Sequence, residues 1–425
     1  MTNCMKLSVG ALGLTLLTQA AAAAQTPGVP PYTAWSASPV EVVTNKVKTP
    51  VLRIPKLTKP PVIDGKLDPE EWKGATAVTA FPNFDSAMSL PQFLQPVWYV
   101  GYDDDNFYLA FHYPIYPKGS LRAVCKTKPE AEEQVAGKSI LWDDHTEIEI
   151  CTIEREKAVS GHFYKFMTNP WDVVSDQKVR YAIGLTGFDY DTGTRVKSAF
   201  NEDAWDQEIA IPIKDLGVIR IKDGDSWVMQ LVSAQDPGGN YYAWVPATWL
   251  QFHRFPELVF DSKAAAIQFV AVGDWMEGNP DFGFKAFNPQ QQVVAIKIGV
   301  KIIAADGKVL LDETKPVSLK PGESKAEHVK ASGLALGDKD SRVYFEITDA
   351  ATGAVYYKND TPLRNGQSAS VKGYVKNLSD ARKPVAPKLD FAYLPSFNRL
   401  KVSADVGILG IDPKLEKAAR SVKRG

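Results

Sequence analysis

Short runs of alternating apolar and polar residues, separated by turn-forming clusters, dominate the chain from about residue 61 to residue 370. Val97–Tyr102 and Phe107–Tyr113 flank Asp103-Asp104-Asp105-Asn106, which predicts a β-hairpin closed by an acidic turn. Thr146–Ile153 alternates with period two, the mark of a strand with one buried face. Phe163–Met167, Val179–Leu185, Trp205–Ile213 and Trp227–Val232 continue the series, and Val51–Ile54 reads as an early strand. Helical spacing is scarce. Pro69–Gly74, with Asp68 as cap and Pro69 at the first position, predicts a single turn.

Further on, Val293–Ala304 alternates into the turn Ala305-Asp306-Gly307-Lys308, and Val317-Ser318-Leu319 meets Lys320-Pro321-Gly322-Glu323. Arg342–Ile347 and Ala354–Tyr357 flank another turn, and Phe391–Val406 again reads as strands. Many short strands at regular spacing predict an all-β chain: two consecutive antiparallel β-sandwiches and a short C-terminal strand-like extension. The expected division is a leader or linker at 25–60, a first sandwich at 61–262, an immunoglobulin-like or fibronectin-like sandwich at 264–376, and a linker with a partial or packed extension at 377–425. The second block lacks a Cys…Trp…Cys pattern, which argues against an antibody-type domain.

The first 24 residues stand apart. Lys6 precedes an apolar run, Leu7–Leu17, and then Gln19-Ala20-Ala21-Ala22-Ala23-Ala24, the layout of a secretory signal peptide cleaved near Ala24. The run is too short to span a bilayer. The expected destination is the periplasm, the cell envelope or the medium. A formal net charge of -1 argues against a nucleic-acid partner. After cleavage two cysteines remain, Cys125 and Cys151, and whether they pair is a question of geometry that sequence leaves open.

The candidate chemistry centres on Trp142 and Trp249, each in a strand-like context. A pyranose ring has apolar C–H faces and a polar rim, so two indoles and a few polar side chains would suit it. Trp72, Trp98 and Trp227, among apolar strand neighbours, are expected in the core. The sequence contains no nucleophile elbow, phosphate loop or dinucleotide fingerprint, and no carboxylate pair that can be set across a sugar cleft.

Six segments fall in a telling order: Val62-Ile63-Asp64-Gly65-Lys66-Leu67-Asp68 with Trp72; Tyr102-Asp103-Asp104-Asp105-Asn106-Phe107-Tyr108; Trp142 with Asp144 and Glu147-Ile148; Phe166-Met167-Thr168-Asn169; Glu208-Ile209-Ala210-Ile211-Pro212; and Trp249 with Phe255 and Leu258. In this order residues 61–261 resemble a family 9 carbohydrate-binding module, a DOMON-like β-sandwich. The resemblance implies a sugar held between Trp142 and Trp249, with Glu147, Asn169 and Gln230 at the positions that bond its hydroxyls. It also implies structural calcium, for which Asp103, Asp105 and Asp144 are the candidate ligands. Polysaccharide or oligosaccharide is the implied partner, within a larger glycan-degrading system. Three departures stand out: Met167 replaces an arginine of the family, Pro256 replaces a glycine, and Trp142 stands one residue nearer the Asp-x-x-Glu pair.

Blander roles stay open for each polar residue. Glu147 could lie on a solvated strand face, Asn169 could only cap a turn, and Gln230, pointing opposite to Met229 and Leu231, could be a surface residue. A structural or envelope protein whose sandwich has lost its ligand stays open, and two other functions do as well. One is a glycoside hydrolase or its N-terminal part. The other is haem binding, since related sandwiches hold haem between a methionine and a histidine, here Met167 and His253.

Overall fold

The computed structural model describes residues 50–132, 138–152, 162–180, 185–187, 190–235, 240–247, 252–337 and 339–382. Residues 1–49, Trp249 and the strand-like segment 391–406 lie outside them. Among the described residues, thirteen strands precede residue 262. They are β1 (Val51–Ile54), β2 (Thr76–Val78), β3 (Val97–Tyr102), β4 (Asn106–Pro114), β5 (His145–Cys151), β6 (His162–Thr168) and β7 (Val174–Arg180). There follow β8 (Leu185–Gly187), β9 (Arg195–Phe200), β10 (Ala204–Pro212), β11 (Ser226–Gln235), β12 (Asn240–Ala243) and β13 (Glu257–Phe260). Seven more are β14 (Ala266–Asp274), β15 (Asn279–Phe287), β16 (Val294–Ile303), β17 (Val309–Leu319), β18 (Ser324–Lys330), β19 (Ser341–Asp349) and β20 (Val355–Leu363). The described α-helices are the short α1 (Pro69–Trp72) and α2 (Lys128–Glu132) and the longer α3 (Ala369–Ala381), and short 3₁₀ turns lie between strands. None of these helices is long and apolar enough to cross a membrane.

The strands make two layers, as the period-two pattern requires. One sheet runs β17-β16-β19-β20-β1-β13-β11-β5-β6-β7-β8, with β12 paired to β11; the other runs β18-β15-β14-β2-β3-β4-β10-β9. Inward residues of both layers form a single apolar cluster, with Trp98, Phe111 and Trp205 on one side and Ile148, Ile150 and Leu231 on the other. Phe111 meets Trp205 edge to face at 4.7 Å, and the Trp98 indole N–H donates across the layers to Ser233 at 3.2 Å. Each large side chain so buried stabilises the fold by roughly 1.5–3 kcal/mol relative to exposure.

Both sheets run through both halves of the chain. β1 pairs in parallel with β13 and antiparallel with β20, and β14 pairs in parallel with β2. The all-β sandwich architecture is as expected, but the sheets are mixed, and these parallel pairs sit at the junction where the halves join.

Three local differences from the sequence reading have physical causes. β7 begins at Val174, five residues before the expected strand, because its polar Asp176 is buried against Lys128 instead of facing solvent. α3 occupies residues read as sandwich and linker. Its buried Val371 and Leu378, and Tyr374 and Val375 packed on the core, have the i, i+3, i+4, i+7 spacing of a helix, and Ser368 caps its first turn. Cys125 and Cys151 lie in separate apolar clusters and are not joined to one another.

Candidate functional site

Strand β5 points Ile148 and Ile150 into the core, so His145, Glu147, Glu149 and Cys151 occupy its outer face. Register sets their neighbours. Lys165 and Gln230 lie opposite Glu149, and Met167 and Val232 lie opposite Glu147. Two segments cover this face from opposite ends. Cys125, Ala131 and Ile140 pack over Met167 and Val173. Val245, Ala247, Phe252 and Phe255 pack over Cys151, Phe163 and Val228. Between the two covers lies a floor of His145, Glu147, Glu149 and Lys165.

The floor is an ion-pair network. The Lys165 ammonium lies 2.8 Å from Glu147 Oε2 and 3.6 Å from Glu149 Oε1. His145 donates from Nδ1 to the Asp143 carbonyl at 2.8 Å, and its Nε2 faces Glu147 Oε1 at 3.3 Å. The Tyr241 ring stands 6.0 Å from the imidazole. Glu147 and Lys165 keep 11% and 13% of their side-chain surface exposed, while His145 and Glu149 keep 0% and 2%, so the network is buried but reaches solvent at one end.

The two carboxylates are driven apart. Burial pushes Glu147 up, but the Lys165 ammonium and His145 outweigh it and hold this carboxyl below the ordinary range. Burial raises Glu149 to about 8; Lys165 opposes that rise and the Glu147 charge adds to it. Folded Glu149 therefore keeps a proton that an unfolded chain releases near its ordinary 4.5, and stability falls as pH rises through that window. Glu149→Gln removes this loss. Its melting temperature relative to wild type should shift upward by several degrees between pH 5 and pH 8.5. A difference that does not change with pH would mean that Glu149 is ionised in the fold.

Trp142 closes a short 3₁₀ turn, Ile140–Trp142, at the end of the first cover and is 49% exposed. Trp72, Trp98, Trp205, Trp227, Trp244 and Trp275 are all buried, as expected for the three of them read as core, and Trp171 is half-buried. Trp249 falls outside the described residues, and its chain neighbours Ala247 and Phe252 belong to the second cover.

The other predicted residues have different duties. Glu147 is on the floor, paired and not on a solvated face. Asn169 is fully buried. Its amide donates to the Cys125 carbonyl at 2.8 Å and to Asp143 Oδ2 at 2.7 Å, and its carbonyl accepts from Trp171 and Val173. Gln230 does point opposite to Met229 and Leu231, but it is buried beneath the second cover. It donates to the carbonyls of Val245 and Ala247 and accepts from the Val245 amide. Each of these amides therefore anchors one cover: Asn169 has both donors and both acceptor positions taken, and Gln230 has both donors taken. Met167, named for haem, is 5% exposed and packs with Val173 and with Cys125, Ala131 and Ile140 of the first cover.

The residues expected to hold calcium do not fit it. Asp103 closes its turn by accepting from the Asp105 and Asn106 amides and the Tyr108 hydroxyl, each at 2.8 Å. Asp105 is exposed at the turn, and its carbonyl takes the Ile213 amide. Both carboxylate oxygens of Asp144 are occupied by the Arg382 guanidinium at 2.6 Å. Among the described residues no group of three or more His, Cys, Asp or Glu side chains is placed to hold a metal ion.

Sequence reasoning missed Lys165, Glu149 and Tyr241. Lys165 was within reach, since it lies two residues before Met167 and so shares its face. Three surface grooves among the described residues do not contain the predicted residues. One of about 720 Å³ lies beside α3, where Phe93 packs on Tyr116 at 4.9 Å.

No protein-family model matches the chain, and no curated protein matches it. Among solved structures, a Bacteroides uniformis protein provisionally named as carbohydrate-binding aligns over 50% of this chain and 99% of its own, at 12% identity and a TM-score of 0.38. Bacteroides uniformis β-glucuronidase 2 aligns over 61% of this chain and 26% of its own, at 11% identity and a TM-score of 0.19. A DUF4785 family protein of Legionella pneumophila aligns over 64% and 56%, at 7% identity and a TM-score of 0.18. Likenesses at these scores carry no inference about activity.

Proposed function

We propose that this chain binds a saccharide in the cleft over β5, β6 and β11, in the manner of a family 9 carbohydrate-binding module. Trp142 and Trp249 supply the stacking faces, and Glu147 and Lys165 meet the hydroxyl rim. The observation that carries this reading is the position of Trp142. It is a half-exposed indole three residues before His145 of the charged floor, in a chain whose core takes up most of its other described tryptophans. An exposed indole is stabilised by covering its face, and a paired carboxylate and ammonium can both accept from and donate to vicinal hydroxyls. The departure at Met167 supports the same picture, because Lys165 supplies a cation from the same strand face.

Intrinsic fluorescence titrated with a panel of mono- and oligosaccharides tests the proposal. A saturable change is expected with at least one of them. Trp142→Ala should weaken that binding about tenfold or more, ~1.4 kcal/mol, and leave the melting temperature nearly unchanged because the residue is exposed. Glu147→Gln should also weaken it. A panel without response, or wild-type affinity in both Trp142→Ala and Trp249→Ala, would refute the stacking site.

A further inference from the structure

We infer that Arg382 is a positioning residue for the cleft: through it, helix α3 at the end of the second sandwich fixes the segment of the first that presents Trp142. The inference rests on the carbohydrate reading for its functional half, and on contacts alone for its structural half.

Arg382 follows the last turn of α3 and is tied to it by its own amide, which donates to the Leu378 carbonyl at 3.0 Å. Its guanidinium crosses to the other half of the chain. Nη1 and Nη2 donate to the two oxygens of Asp144 at 2.6 Å, and Nη2 also donates to the Ser120 carbonyl at 3.0 Å. The pair is sealed, with side-chain exposures of 1% and 0%. A forked, two-point contact of this kind fixes orientation as well as distance.

What it fixes is the corner behind Trp142. Asp144 accepts from the Arg122 amide at 2.9 Å, and its own amide donates back to the Arg122 carbonyl. Next to it, Asp143 takes the amides of Val124 and Cys125 and the Asn169 side chain. Trp142 precedes these two aspartates and is held by a backbone bond to Ser139. The cover that carries the indole is thus secured from below by Asp143 and Asn169, and from the far half of the molecule by Arg382. Helix α3 is itself pinned, with Val371 and Leu378 in the shared core, so Asp144 is held against a fixed body.

The test uses the full-length protein in three forms: wild type, Arg382→Lys, and the paired replacement Arg382→Met with Asp144→Leu. The paired replacement leaves no buried charge without a partner, and apolar substitution of a whole buried pair is often close to neutral in stability. Hydrogen exchange over residues 120–145 should quicken at least tenfold in the paired variant, with β5 and β6 beyond residue 146 keeping their protection. Affinity for the saccharide bound by wild type should fall at least tenfold, and Arg382→Lys should fall between. Unchanged exchange over 120–145 would overturn the inference, because Asp143 and Asn169 would then suffice. Quickened exchange with wild-type affinity would overturn it too, because the latch would not position the site. If wild type binds no saccharide, the carbohydrate reading fails by itself. Acrylamide quenching of Trp142, taken as the difference from Trp142→Phe, then decides the latch, and equal quenching in wild type and the paired variant would overturn it.

Discussion

Replacing Glu208 with alanine should lower the free energy of unfolding by about 3–5 kcal/mol, among the largest effects of any single polar substitution in this chain. Glu208 is fully buried on β10. Its Oε2 accepts from the amides of Asp64 and Gly65 at 2.9 and 2.8 Å, and its Oε1 accepts from the Trp72 indole at 2.8 Å. Alanine would strand three donors, two of them buried. An unpaired buried donor costs about 1–3 kcal/mol, while some of these groups could recover a water. The arrangement also needs Gly65. Its φ of +86° is a conformation that L side chains rarely adopt, and a Cβ there would lie 2.8 Å from the Ser198 carbonyl carbon. Glu208→Gln should be milder, since the amide oxygen keeps some of the contacts. Chemical denaturation of the three proteins checks the ranking. An alanine variant within 1 kcal/mol of wild type would show that this carboxylate does not hold the amino-terminal segment to the sheet.

That cluster explains what the sequence could and could not say. The segment around Asp64-Gly65 and Trp72 and the segment beginning at Glu208 stood out as two separate motifs, 136 residues apart at their closest bond. In the fold they are one structure. The hairpin motif is likewise a fold device, since Asp103 spends its carboxylate on its own turn and on Tyr108. Motifs of this kind are legible because their chemistry is local or their spacing regular, and they reported the sandwich correctly. The site was less legible because its residues are defined by what covers them. Asn169 and Gln230 were expected to bond the hydroxyls of a sugar, and in the fold both hold covering segments instead. Period two says which face a side chain takes, however, and not whether Cys125 or Val245 lies above it. Asp144 offered a free carboxylate by sequence, and only the fold brings Arg382, 238 residues away, to occupy it. Oxygen-rich turns suggest calcium for the same reason that they form turns: their carboxylates capture nearby amides first.

The two halves of the chain should unfold as one. The boundary at residues 262–264 falls in the loop between β13 and β14, yet cutting there would separate elements that the sheets join. A chain ending at residue 262 would leave β1 without β20 along one edge and β2 without β14 along another. Unpaired edges beside apolar residues invite association between chains. The shared core would be opened as well, because Leu52 and Val78 belong to the same cluster as Phe269, Phe345 and Tyr357. The truncated chain is therefore expected to be recovered as aggregate, or without a cooperative melt. The full-length protein is expected to show a single calorimetric transition whose enthalpy matches the van't Hoff value. Two resolved transitions, or a soluble and cooperatively folded piece ending at 262, would show that the sheets are continuous in geometry but separable in energy. A single transition has a functional consequence. With Arg382 directly after α3 and Trp142 on the first sandwich, strain on the second half would reach the proposed saccharide site through a body that does not come apart in stages.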